Sequence, residues 1–308
     1  MSTPRFLTLP GTVRSRRLAT GRGRFAVLQS APPVGGPALG TALLVPGFTG
    51  SKEDFIALVE PLARRGFHTV ALDQRGQYET PGPDDPAAYT RDALVDDLLA
   101  VADTVAPGER IHLVGHSFGG LVCRSVALRV PERLASLTLM STGPAAISPD
   151  ETTRLLLLEE VLPLLTRQEV WEAMQAVEIE AGLLPPTDPV IAEFLHGRWL
   201  GNTPAGLLGM AEQLRTEPDR VAELAAVVAA GLPALVISGV EDYAWPLPWQ
   251  ADMATRLGVR HLVIPDAFHS PNVESPATTA AALAEFWTTT PKTTTTTDAT
   301  ANVSADRV

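Results

Sequence analysis

Short apolar runs alternate along most of the chain with segments whose apolar residues recur at helical spacing. Thr41–Val45 is an apolar run of strand length that stops at Pro46-Gly47. Beyond Ser51, a residue suited to cap a helix, Phe55, Leu58, Val59 and Leu62 fall on one helical face. Phe67–Leu72 predicts the next strand, and Arg75 to Tyr89 a long loop rich in proline and glycine. Thr90 opens a helix that turns Leu94, Leu98, Val101 and Val105 inward. Further strands are predicted at Arg110–Val114, Leu134–Met140, Pro233–Ser238 and Val259–Ile264, and Arg24–Leu28 follows an arginine-rich edge segment. Strands alternating with helices predict an α/β chain: a mainly parallel central sheet with helices on both faces.

The alternation stops between 145 and 230. That segment is helical by pattern, with Leu155–Leu158, Val161-Leu162 and Leu164-Leu165 early and Trp171, Met174, Val177, Phe194 and Trp199 later. It lies between two predicted core strands, so it reads as an insertion. Most of its apolar residues should pack it onto the core, and a few should line a pocket. After Trp287 the chain becomes threonine-rich with no apolar face to bury, and is expected to be disordered. The predicted division is a core of residues 1–144 and 231–287, a helical insertion of 145–230 and a tail of 288–308.

One pentapeptide carries chemistry. Gly115-His116-Ser117-Phe118-Gly119 follows a predicted strand and precedes a predicted helix. A serine hydroxyl is offered at the tip of so sharp a turn only if its flanking residues bring no bulk, which the glycines provide. Such a serine needs a base, and the base an orienting acid. Both have candidates in the expected chain order: Gly239-Val240-Glu241-Asp242 after one strand, and Asp266-Ala267-Phe268-His269-Ser270-Pro271 after the next. Glu241 and Asp266 compete with Asp242 for the acid. Asp266 stands only three residues before His269, and Glu241 is adjacent to Asp242 and should point elsewhere if Asp242 points inward.

These blocks, with Leu44-Val45-Pro46-Gly47-Phe48-Thr49-Gly50 and Asp73-Gln74-Arg75-Gly76, make the chain from about Gly40 to Trp287 resemble the α/β-hydrolase superfamily, in a serine-nucleophile, capped, esterase-like form. The resemblance implies Ser117 as nucleophile, Asp242 as acid and His269 as base. It implies an oxyanion hole of backbone N–H groups from Phe48 and Phe118, and a cap made by the insertion. Pro46 departs from the histidine many relatives carry there, which should not matter to a site built from backbone N–H groups. The implied activity is hydrolysis of an ester or related acyl substrate through an acyl-enzyme. Acyl transfer, C–C bond hydrolysis, lactone opening, cofactor-free perhydrolysis and ligand sensing without turnover use the same machinery in relatives.

Charge and composition narrow the partners. The 308-residue chain carries a formal charge of −11, which argues against nucleic acid. With 45% hydrophobic residues it can bury a sizeable core, yet no apolar stretch approaches the roughly twenty residues of a membrane span. The arginines at 5, 14, 16, 17, 22 and 24 are not followed by the apolar stretch of a secretory signal, so a cytoplasmic protein without a membrane partner is expected. Cys123 is the single cysteine and reads as a packed apolar residue. His112 and His116 have metal-ligand spacing but straddle a strand and a turn. No metal and no cofactor are expected, only a small-molecule acyl substrate.

Overall fold

The computed structural model describes residues 2–30, 38–182 and 188–290. The threonine-rich segment from 291 onward lies outside the described residues, and with it most of the predicted tail. In chain order the elements are β1 (Val13–Thr20), β2 (Gly23–Ser30), β3 (Gly40–Val45), α1 (Ile56–Arg64), β4 (Phe67–Leu72), α2 (Arg91–Val105), β5 (Ile111–His116), α3 (Phe118–Arg129) and β6 (Leu134–Met140). Then come α4 (Pro149–Val161), α5 (Arg167–Glu180), α6 (Pro189–Gly201), α7 (Pro204–Thr216), α8 (Val221–Ala229), β7 (Ala234–Ser238), α9 (Leu247–Leu257), β8 (His261–Val263), α10 (Pro271–Glu274) and α11 (Pro276–Thr289).

Among the described residues one sheet of eight strands forms, in the order β1-β2-β4-β3-β5-β6-β7-β8. The arginine-rich segment is the edge strand β1, antiparallel to β2, which is antiparallel to β4; every other neighbouring pair is parallel. Successive strand residues serve opposite faces. Leu43 and Val45 pack with α2, α3, α8 and α9, whereas Ala42 and Leu44 pack with α1 and α11. Both cores are buried, which is why β3, β5 and β6 read as continuous apolar runs.

The helices between β6 and β7 divide. The first four, α4 to α7, form the insertion proper; Leu162, Val170, Trp199 and Leu207 make a small core of their own, while Leu155, Met210 and Leu214 join the main core. Val221 and Leu224 of α8 lie in the main core, so α8 returns the chain to the layer that covers the sheet. Both stems are held from α3. Arg124 donates to the carbonyls of Gly143 (3.2 Å) and Pro144 (2.6 Å) and pairs with Glu217 at 2.7 Å. Backbone bonds from Ala146 to Glu217 and from Ile147 to Leu214 tie one stem to the other. No helix among the described residues is long and apolar enough to cross a membrane.

His112 of β5 packs against β4 and α11. It stacks on Trp287 at 5.0 Å, meets Phe67 edge-on, and its Nδ1 bonds to Ser136 Oγ at 2.8 Å. Burial pushes its pKa down from 6.5 to about 4. Between those values the unfolded chain binds a proton that the native state does not, so stability is fully present above pH 6.5 and is lost as pH falls towards 4. This one side chain should give a slope of up to about 1.4 kcal/mol per pH unit. Urea unfolding of wild type and His112→Gln at several pH values tests this: the variant should show a shallower loss, and equal pH dependence in both proteins would refute it.

Candidate active site

The parallel strands β3, β5, β7 and β8 all end on the same edge of the sheet, and the loops that follow them meet there. Ser117 sits on the turn from β5 to α3 with φ 54° and ψ −122°, a strained conformation for a non-glycine residue. Gly115 makes the turn possible: a Cβ there would lie 2.4 Å from the carbonyl oxygen of Gly119. His269, after β8, brings its Nε2 to 3.1 Å from Ser117 Oγ, and its Nδ1 lies 2.9 Å from Asp242 Oδ1, after β7. The three residues thus form one hydrogen-bonded chain, buried at each member.

Asp242 is fixed on every side. Its Oδ1 also accepts from the backbone N–H groups of Ala244 (2.8 Å) and Trp245 (3.1 Å), and Oδ2 accepts from Gln250 Nε2 at 3.0 Å. The other two acids considered, Glu241 and Asp266, are exposed. Asp266 has φ 57° and shapes the turn that delivers His269. Glu274 accepts from the N–H groups of Phe268 (2.6 Å) and Ser270 (3.0 Å), bracketing His269.

His116, beside the serine, is not part of this chain. Its Nε2 donates to the backbone carbonyl of His269 at 2.7 Å, holding the His269 loop against the turn that carries Ser117. Burial first, and His269 second, push its pKa down from 6.5 to about 3. It therefore stays neutral and adds no positive charge beside His269. His112, His116, His261 and His196 each have a protein hydrogen-bond partner, respectively Ser136, the His269 carbonyl, Ser238 and Gln168.

The loop after β3 lies over Ser117. A Cβ on Gly47 would come 2.9 Å from Ser117 Cβ, so only glycine lets the loop approach this closely. The backbone N–H groups of Phe48 and Phe118 donate to no acceptor among the described residues. The Phe48 side chain packs between the main core and the small core of the insertion.

Several residues here carry no readable signal in the sequence. Gln74 and Gln77 sit beyond β4 and bind the carbonyls of Pro46 and Gly47, and Tyr243 lays its ring 4.7 Å from that of His269. Gln74 lies inside the Asp73-Gln74-Arg75-Gly76 block with nothing to mark its role, and only neighbourhood to that block and to Glu241-Asp242 could have drawn attention to Gln77 and Tyr243. The insertion aromatics divide in a way their spacing does not disclose. Trp199 is fully buried in the insertion's own core, its indole N–H donating to the Arg167 carbonyl, which makes it a packing residue. Trp171 packs beside Trp199 and His196, and Phe194 meets Tyr78 edge-on at 5.6 Å.

Comparison with known proteins agrees with this architecture. A sequence profile of the alpha/beta hydrolase fold matches residues 42–162. The RutD protein of Variovorax paradoxus (strain S110), provisionally named a carbamate hydrolase, is 29% identical over 268 residues, which cover 82% of this chain and 94% of that protein. A thermophilic esterase from Thermogutta terrifontis superposes with a TM-score of 0.68 at 26% identity, covering 89% of this chain and 97% of the esterase. The enol-lactonase from Burkholderia xenovorans LB400 superposes with a TM-score of 0.70 at 21% identity, covering 89% of this chain and 100% of the lactonase. With that profile match, near-full-length relatives and solved structures that superpose over most of its length, this chain has the α/β-hydrolase fold and is similar to members of that superfamily.

Proposed function

We propose that the protein hydrolyses an ester or a related acyl substrate, with Ser117 as nucleophile, His269 as general base and Asp242 as the orienting acid. The observation that carries this is the hydrogen-bonded chain Ser117 Oγ–His269 Nε2 and His269 Nδ1–Asp242 Oδ1, at 3.1 and 2.9 Å. Relatives over most of the chain's length bear names, carbamate hydrolase and esterase, that denote attack on an acyl carbonyl.

The steps follow from the contacts. Asp242 holds the His269 tautomer with its proton on Nδ1, which leaves Nε2 free to accept. As Ser117 Oγ attacks the carbonyl carbon, its proton passes to Nε2 and the carbonyl oxygen becomes an oxyanion. Asp242 offsets the charge of the imidazolium. The free N–H groups of Phe48 and Phe118 are the donors for the oxyanion. The imidazolium then protonates the leaving group, and water, activated by the same nitrogen, releases the acid from Ser117.

Labelling with a fluorophosphonate, followed by peptide mass spectrometry, tests the nucleophile. Wild type should take up one label on the peptide bearing Ser117 and lose ester hydrolysis in parallel. An active enzyme that stays unlabelled, or is labelled elsewhere, would sink the assignment. Slow, single consumption of every acyl ester offered would instead favour a receptor on this fold.

A further inference from the structure

Gln77 is 1% exposed, and its amide is used at both ends. Oε1 accepts from the N–H of Gln74 at 3.2 Å, and Nε2 donates to the carbonyl of Gly47 at 2.8 Å. The same Nε2 lies 3.9 Å from Met210 Sδ, on α7 of the insertion. This set of partners fixes the amide's orientation. Flipped, its oxygen would face the Gly47 carbonyl and its NH2 would face the Gln74 N–H.

The Gly47 carbonyl is held twice, because the N–H of Gly50 also donates to it at 3.1 Å. Gln74 Nε2 binds the preceding carbonyl, that of Pro46, at 2.9 Å. Among the described residues no peptide bond is cis. In a trans peptide the C=O of one residue and the N–H of the next point in opposite directions across a rigid plane. Fixing the Gly47 carbonyl on the Gln77 side therefore fixes the Phe48 N–H on the other side. Gly47 is the residue packed directly on Ser117, and the Phe48 N–H has no acceptor among the described residues.

We infer that Gln77 is a positioning residue for the oxyanion: its side-chain amide, braced against Met210 of the insertion, sets the direction of the Phe48 N–H by holding the Gly47 carbonyl. The inference rests on the proposed function, in which that N–H meets the developing negative charge. Gln77 touches no substrate in this scheme. Its loss should lower kcat and leave KM nearly unchanged, because the donor it aims matters most when the charge has formed.

Two variants and one measurement on wild type test this. Gln77→Met keeps the length and loses every hydrogen bond; Gln77→Glu keeps the acceptor for Gln74 and loses the donor to Gly47. Each is compared with wild type for melting temperature, for kcat and KM on p-nitrophenyl butyrate, and for inhibition by an alkyl trifluoromethyl ketone. Ser117 adds to that ketone's carbonyl carbon, its proton passes to His269, and the adduct carries an oxyanion. A folded variant should lose roughly 10- to 100-fold in kcat and a similar factor in ketone affinity, with KM within about threefold. In wild type labelled with 15N-phenylalanine, the Phe48 amide proton should move downfield when the ketone binds. A folded variant matching wild type in kcat and ketone affinity overturns the inference and leaves the proposed function standing; a Phe48 amide that does not respond to the adduct overturns the inference and removes Phe48 from the oxyanion donors, leaving Ser117, His269 and Asp242 in their proposed roles. A wild-type protein that neither turns over the ester nor binds the ketone removes both.

Discussion

Ser117→Ala should lower kcat for any ester the enzyme accepts by about 10³- to 10⁶-fold while the protein stays folded. The size follows from how the three residues act as a unit. Without Oγ there is no acyl-enzyme, and His269 and Asp242 are left with only water to activate, so what remains is the contribution of binding and of oxyanion donors. The fold should not suffer. Ser117 occupies its strained conformation because the strand before it and the helix after it demand it. Alanine has the same Cβ and meets the same strain, and only the hydrogen bond to His269 is lost. A purified variant, checked by active-site titration for contaminating hydrolase, should show this loss with a melting temperature close to wild type. Hydrolysis at the wild-type rate would remove the nucleophile assignment.

The largest stability effect should come from Arg198→Met, at about 3–5 kcal/mol. Arg198 on α6 pairs with Asp54 at 2.7 Å, and both side chains are 0% exposed. Burial raises the Asp54 pKa and the Arg198 charge draws it back. Methionine keeps much of the volume but leaves the carboxylate with the N–H of Ser51 as its remaining donor. Arg198 also donates to the Ser2 carbonyl, so the same change loosens the N-terminal segment from α6. Denaturant unfolding should show the loss in the single variant and a clear recovery in Asp54→Leu/Arg198→Met, where no charge is stranded. A single variant that loses less than about 1 kcal/mol would show that water reaches the carboxylate.

Legibility in the sequence tracked how local each cause was. β4 and β6 were read with their observed bounds because each is an apolar run closed by a turn residue within the same few positions. The elbow was readable for the same reason, since strand, glycine, serine and helix lie within one stretch of chain. β8 was read too long, because at the edge of the sheet only His261–Val263 find a partner strand. Between Glu241, Asp242 and Asp266 the sequence could set only a preference. What separates them is the direction of a side chain, and the backbone N–H groups of Ala244 and Trp245 decide that for Asp242. Arg198 and Asp54 stand 144 positions apart and Gln77 and Met210 133 apart, so nothing in either neighbourhood announces the other. Nothing in the sequence separates Trp199, a packing residue, from the few apolar residues expected to line a pocket, because an aromatic in a helix carries no mark of which way it faces.

The grip of Arg124 on both stems of the insertion bears on how such a protein can diversify. Arg124 sits in α3, about two helical turns from Ser117, so the rod that begins beside Ser117 also sets where the insertion leaves and re-enters. The junction is held from the core side by the guanidinium groups of Arg124 and of Arg91 on α2, both on Glu217, and a pair of backbone bonds closes one stem on the other. Helices between the junctions can lengthen, shorten or be exchanged as a block while their anchor points keep their register to Ser117. The chain is in this sense a socket with a replaceable fitting, whose mounting points are fixed independently of what is mounted.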